Sequence, residues 1–286
     1  MSPPEPVCTD PDWNEVWKTR QNQHALSKSA DDSSHNWDKV ENAERYDANS
    51  RIEYDARIRI TLDGLDARRD SRVLDIGAGP GTLAIPLAPR VREITAVEPG
   101  VGMVAILRER AAKEGITNIS CVQKCWEDVD IARDLGAPYD IVIASLSLTM
   151  EDIRAALLKM DAASRQYVCL YWFVDLPFWE RMYADLWEPL HGSRYYAGPK
   201  ADCLFNVLYQ MGIYPHVEML PLGKEYRFSS REELEAFFYR RFNARTAGQQ
   251  EIVKEYLAPL IHTEGADSVV SGDSTFAKIW WEKKKS

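Results

Sequence analysis

Residues 73 to 83 read VLDIGAGPGTL, and that segment leaves a chain little choice of fold. Val73 and Leu74 suit a buried strand. Gly77, Gly79 and Gly81, set around Ala78 and Pro80, end it in a tight turn, and LAIPLAPRV beyond them reads as a short helix. Strand, glycine turn and helix open a nucleotide-binding βαβ unit, in which missing side chains let a ligand approach the backbone.

The same alternation continues downstream. REITAVEPG is a second strand and GMVAILRERAAKEG a helix closed by Gly115. ITNISCVQKCW and YDIVIASLSL are the third and fourth strands, MEDIRAALLKMDAAS a helix, and RQYVCLYWFVD the fifth strand. Strands separated by helices predict an α/β, doubly wound, mainly parallel sheet covered on both faces. Upstream, DWNEVWKTRQNQHAL places Trp13 and Trp17 on one face of a helix, SKSADDSSHN is a polar linker, and a second helical stretch begins near Trp37. Residues 175 to 198 read as an aromatic, loop-rich stretch, PKADCLFNVLYQMG as a helix and IYPHVEMLPL as a strand. SSREELEAFFYRRF opens a helical insertion with a capping-box pattern, and STFAKIWWEKKK is a last, antiparallel strand. The expected division is a helical cap over 1–50, a core of 51–222 plus 273–286, and a helical insertion over 223–272.

Composition narrows the function classes. A net charge of −9 disfavours a nucleic-acid backbone as partner, since such binders carry a basic face. The five scattered cysteines suit reduced thiols. Neither a membrane-length apolar run nor a signal-peptide pattern at MSPPEPVCTDPDW is found, so the expected compartment is the cytoplasm, with no membrane partner. No cluster with metal-ligand spacing is present, and no metal is expected. Oligomeric state is left open by the sequence.

The neighbours of the glycine turn say what it holds. Its spacing is G-x-G-x-G, not the G-x-G-x-x-G of dinucleotide sites, and no Lys-Ser/Thr pair follows as in a P-loop. Asp75 precedes the first glycine, and an acid there suits a cationic amine better than a pyrophosphate. Glu98 ends the second strand, where a carboxylate accepts from both hydroxyls of a ribose. The site therefore wants an amine-bearing nucleoside without phosphates.

VLDIGAGPG, ITAVEPG, WED and YDIVIASLSL, in this order, resemble the class I, Rossmann-like S-adenosylmethionine-dependent methyltransferases, over roughly residues 70 to 174, with the layout of the small-molecule members. The resemblance implies S-adenosyl-L-methionine as cofactor. Gly77, Ala78, Gly79 and Gly81 would meet its methionine part, Asp75 its amino group and Glu98 its ribose, while Pro99, Gly100 and Met103 would line the adenine. Where relatives place an acid that accepts from the adenine amino group, KCWEDV has Cys125. The adenine contact is then expected from the backbone or ring of Trp126, or from Glu127 or Asp128.

The acceptor side is less marked. Relatives fold the helix before the first strand over the cofactor, and WDKVENAERYD matches that element, which makes Tyr46 and Trp37 the lid candidates. Ligands in open parallel sheets sit at the carboxyl ends of the strands, so Ser145, Leu148, Thr149 and Trp172 border the transfer point. Trp17, His35, Trp179 and Tyr195 are further candidates for contact with the acceptor, against a reading in which such rings only pack the core. No catalytic residue is assigned, although His35 and His191 are candidate bases. The expected activity is methyl transfer to a small-molecule acceptor. The alternatives are transfer to a protein side chain, a non-catalytic cofactor-binding subunit and, less favoured, a nicotinamide-dependent oxidoreductase.

Overall fold

The computed structural model describes residues 11–27, 37–44 and 55–283. Alternation within single strands builds its two faces. In β1 (Arg72–Ile76) Leu74 and Ile76 face one side and Val73 the other. In β5 (Ser164–Phe173) Val168, Leu170 and Trp172 face the first side while Cys169 and Tyr171 face the second. With period two and both faces apolar, such strands are stable only when covered on both sides.

Parallel pairing joins β1 to β2 (Glu93–Val97) and to β4 (Tyr139–Ser145), β2 to β3 (Ile119–Val122), and β4 to β5. β6 (His216–Phe228) and β8 (Asp267–Glu282) then add antiparallel strands, giving the order β3-β2-β1-β4-β5-β8-β6, with β7 (His262–Glu264) paired to β8. This is the Rossmann-like mixed sheet that the sequence predicts, with its order reversing between β1 and β4.

On one face α1 (Trp13–Leu26) packs against α8 (Ala201–Gln210) and α6 (Ile153–Ala163). Trp17 is the anchor of α1. Its ring is fully buried and its indole N–H donates to the Met150 carbonyl at 2.9 Å. Burial of a ring this size contributes roughly 3 kcal/mol. On the other face lie α2 (Asp55–Asp63), whose Leu62 joins the core, and the short α3 (Ala84–Leu87). α4 (Val101–Lys113) follows β2, and α5 (Ile131–Asp134) is a single turn capped by Asp130. Among the described residues no helix is long and apolar enough to cross a membrane.

Two stretches differ from the sequence reading. Within 175–198, which reads as loop, Phe178–His191 form the helix α7. Phe178, Met182, Leu186 and Leu190, four apart, bury one stripe, and Gly192 at φ 69° ends the helix. The insertion is also less separate than its composition suggests. β6 and β8 run unbroken across 222/223 and 272/273, and α9 (Arg231–Arg241) and α10 (Ala247–Leu257) sit on their far halves, sharing with α7 a cluster around Phe238 and Val270.

Candidate functional site

The carboxyl ends of β1, β2 and β4 meet at the glycine turn. Gly77, Gly79 and Gly81 have φ of 71°, 57° and 81°, a region open to glycine at little cost. Gly77 and Ala78 both donate to the Val97 carbonyl, which holds the turn against β2. A Cβ added at Gly79 would have no atom within 4 Å, so the turn faces open space there. Arg110 of α4 donates to the Pro80 carbonyl and buttresses the turn from behind.

Asp75 is 3% exposed, and its Oδ2 has no hydrogen-bond partner. Burial, and next the Glu98 charge, push its pKa up to about 7 against the pull of Arg57. Glu98 is buried too. Its Oε2 accepts from Gly79 N and its Oε1 from Gly100 N, both at 2.9 Å. Burial raises its pKa, and the two N–H groups oppose that rise.

Arg57 and Thr82 complete this cleft; Thr82 ends the glycine motif but is not among the predicted residues, and Arg57 stands in no motif. Arg57, on α2, donates from Nη1 to Ser145 Oγ at 2.9 Å, and Thr82 Oγ1 is a second buried oxygen with no partner. Arg57, Asp75, Gly77, Gly79, Thr82 and Ser145 line a cleft of about 40 Å³. A buried cation and a buried carboxylate in one small cleft match a zwitterion, which is the amino-acid end of the implied cofactor.

The loop after β4 is interlocked with this turn. Leu146 takes φ 56°, which costs a side-chain-bearing residue about 1–2 kcal/mol. The turn it makes brings Ser147 Oγ to the Ile76 carbonyl at 2.6 Å.

The remaining predicted residues are spread over several places. Trp37 and Met103 meet at the start of α4: Gly102 N donates to the Trp37 carbonyl, and Trp37, Ala43, Met103 and Ile106 form one cluster. Pro99 is exposed beside Glu98, and Cys125 is exposed too; partial burial of its thiol, then the charges of Glu127, Asp128 and Glu98, raise its pKa. Glu127 is exposed as well.

Trp126 belongs elsewhere. Its ring is 3% exposed in the core and its indole N–H donates to Ala156 O at 3.1 Å, so stacking of this ring on the adenine does not hold. Trp17 and Leu148 are likewise fully buried in the core rather than placed to touch an acceptor. Tyr46 and His35 lie outside the described residues.

Thr149 and Trp172 line a second, larger cavity of about 310 Å³ with Phe173, Gln21, Asn22, His24, Glu180 and Lys200, between α1, the end of β5 and the 198–200 turn. Tyr195 reaches the same group through its hydroxyl, which donates to Glu180 Oε1 at 3.1 Å. Trp179 instead packs edge-on to Phe173, with Lys224 Nζ 5.9 Å from its centroid. His191 packs against Trp187 with the rings tilted at 56°, and burial lowers its pKa. Among the described residues no group of three or more His, Cys, Asp or Glu is arranged to hold a metal.

A Rossmann-like sheet whose glycine turn lies between two buried carboxylates, Asp75 and Glu98, has the frame of a nucleoside-cofactor enzyme. Residues 73–166 match the family described as "Methyltransferase domain", and the chain carries a class I S-adenosylmethionine-dependent methyltransferase domain. An uncharacterized protein of Haemophilus influenzae is 27% identical over 223 residues, 77% of this chain and 79% of that one. The 23S rRNA (uracil(1939)-C(5))-methyltransferase of Stenotrophomonas maltophilia is 47% identical over 57 residues, which span 20% of this chain and 13% of that enzyme. The crystal structure of the YcgJ protein of Bacillus subtilis shares the fold, with a TM-score of 0.54 at 16% identity over 80% of this chain and 98% of that one.

Proposed function

We propose that this protein methylates a small-molecule acceptor seated in the cavity between α1 and the end of β5. The observation that carries the reading is the position of that cavity. Its Thr149 lies on the loop that follows Ser145, the last residue of β4 and part of the cofactor cleft, and its floor is the carboxyl end of β5. Trp172 and Phe173 give it two aromatic walls, and Gln21, Asn22, Thr149, Glu151, Glu180 and Lys200 supply polar groups that can orient a small molecule there.

When bound, S-adenosylmethionine supplies an activated methyl group, which leaves the protein the work of orientation and exclusion of water. Asp75 would hold the cofactor's ammonium and Arg57 its carboxylate, with Thr82 Oγ1 beside them. Glu98 would exchange its bonds to Gly79 and Gly100 for those to the ribose hydroxyls, and Met103 and Trp37 would flank the adenine. The cleft at Asp75 has room only for the amino-acid end, so the nucleoside part belongs over Glu98 and the first turn of α4.

An RNA acceptor has less support. The likeness to the rRNA enzyme covers only 57 residues, 13% of that enzyme, and the net charge of −9 opposes a phosphate backbone. Protein side chains and a purely cofactor-binding role are separated by experiment. Calorimetric titration with S-adenosylmethionine and, separately, NAD tests the cofactor reading, and binding of the first alone is expected. Labelled methyl groups offered with small-molecule extracts and with denatured protein then test the acceptor. Label entering only protein would overturn the small-molecule reading, and binding without any transfer would favour the non-catalytic one.

A further inference from the structure

A lysine at a helix surface ordinarily keeps its ammonium in water and its stem mobile. Lys159, on α6, is instead tied down. Its Nζ donates to the carbonyls of Trp126 at 2.9 Å, Glu127 at 2.8 Å and Val129 at 3.0 Å, and lies 5.3 Å from the centroid of the Trp126 ring. An ammonium has three donors, so all of them go from one point to the turn at 126–129. The Trp126 indole adds a second tie to the same helix through Ala156 O at 3.1 Å.

That turn continues β3 on the nucleoside side of the cofactor cleft. Val97 pairs with Val122, the last residue of β3, and Glu98 N donates to the Val122 carbonyl at 3.1 Å, so the chain beyond Val122 leaves the sheet beside Glu98. Lys124 is clamped as well, to Asp134 Oδ2 at 2.7 Å. The Trp126 ring is turned into the core. What this stretch can present to a base lying over Glu98 is therefore its backbone and the exposed side chains of Cys125, Glu127 and Asp128.

A turn that merely joined β3 to α5 would not need the lysine. Trp126 and Val129 are buried at 3% and 4% exposure, and the turn closes two bonds of its own, Asp128 N to Cys125 O and Val129 N to Trp126 O. What Lys159 adds is orientation. Each peptide plane carries its N–H opposite its C=O, so three carbonyls drawn toward α6 fix the outward face of the turn as well. Cys125 brings no carboxylate to that face, which leaves recognition of the base to the way the turn is set.

We infer that Lys159 is a positioning residue for cofactor selectivity: by gathering three carbonyls it sets the turn after β3 as the wall that distinguishes adenine from other purines. The inference rests on the cofactor reading above, with the nucleoside over Glu98. Lys159 itself touches no part of the cofactor, and its effect passes through the turn.

S-adenosylhomocysteine and S-inosylhomocysteine, titrated calorimetrically into the full-length protein, test it. They differ only in the base, where hypoxanthine swaps a donor for an acceptor at its sixth position and an acceptor for a donor at its first. The wild type is expected to prefer the adenine ligand about tenfold or more, the effect of one hydrogen bond. Lys159→Met should weaken S-adenosylhomocysteine about tenfold while S-inosylhomocysteine stays within about twofold of its wild-type affinity, so that the preference collapses. Lys159→Gln, which keeps two N–H donors, should retain part of the preference and serves in place of the methionine variant if that fails to fold. Equal weakening of both ligands, or of neither, would make Lys159 a support of the fold alone and overturn the inference, as would a wild type that binds both ligands alike. A wild type that binds S-adenosylhomocysteine upholds the cofactor reading whatever the variants do; one that binds neither ligand removes the proposed function and the inference together.

Discussion

Gly77 and Ser147 occupy each other's space: a Cβ on Gly77 would lie 2.3 Å from Ser147 Cβ. The turn after β1 and the loop after β4 are thus closed on one another, with the Ser147 hydroxyl on the Ile76 carbonyl as the clasp. Gly77→Ala should therefore combine left-handed strain with overlap and cost roughly 3 kcal/mol or more. Ser147→Gly in that background should return part of the loss, because it removes the overlapping atom. Gly79→Ala has only the strain to bear, about 1 kcal/mol, yet it fills the open side of the turn and should weaken cofactor binding more than folding. Denaturant unfolding and calorimetry on the four proteins separate these effects. Equal destabilisation by Gly77→Ala and Gly79→Ala would contradict the interlock.

Asp75 makes stability and cofactor binding depend on pH in opposite directions. Its folded pKa, raised to about 7 by burial and by Glu98, stands above its ordinary value of 3.8. Between these values the folded state holds more protons than the unfolded one, so this group's contribution to stability falls as pH rises from about 4 to about 7. Asp75→Asn should thus stabilise the free protein at pH 8, by roughly 1–3 kcal/mol, and change it little at pH 4. The same substitution should lower affinity for S-adenosylmethionine, whose ammonium needs the ionised form. Binding to the wild type should tighten from pH 5.5 to pH 8, with proton release seen as a dependence of the calorimetric heat on the buffer. An Asp75→Asn protein less stable than wild type at pH 8 would show that the carboxylate has a compensating partner.

The parts of this molecule that were legible in the sequence are those in which one local segment contains its own explanation. The glycine turn, Asp75 and Glu98 stand in or beside strands whose apolar runs are unmistakable, so sheet and cofactor side follow from them. Arg57, His24, Glu180 and Lys200 belong to no motif and acquire their surroundings only when α2, α1, α7 and the start of α8 pack on the sheet. Helix α7 itself was hidden by Pro189 and by polar residues around its apolar stripe, a stripe that the four-residue spacing from Phe178 to Leu190 does contain. Trp126 misled for the opposite reason. An aromatic beside a cofactor motif suggests stacking, whereas residues 126–128 form a 3₁₀ turn that buries this ring beneath α6.

Arg57 offers a test confined to one end of the cofactor. If its guanidinium takes the methionine carboxylate, Arg57→Met should weaken S-adenosylhomocysteine binding about tenfold or more, the loss of a charge-assisted contact. Methylthioadenosine, which lacks the amino-acid end, should bind the variant and the wild type alike. Equal losses for both ligands would mean that Arg57 acts only through Ser145, to which it donates, and shapes the β4 loop.

The segment 37–44 lies along the first turn of α4, and Gly102 is where they touch. Gly102 N donates to the Trp37 carbonyl, and Val101 N to Asp38 Oδ1 at 3.2 Å. A Cβ at Gly102 would fall 2.8 Å from the Trp37 carbonyl oxygen and 3.0 Å from the Lys39 carbonyl, both backbone and unable to swing aside. Gly102→Ala favours the helix by up to about 1 kcal/mol while pushing this strap outward. The expected result is a melting temperature close to that of the wild type, faster proteolysis within 37–44, and cofactor affinity reduced roughly fivefold, about 1 kcal/mol, as Trp37 leaves the side of Glu98. Faster proteolysis with unchanged affinity would show that the strap packs on α4 without contributing to the cofactor site, and Trp37 would then belong to the scaffold.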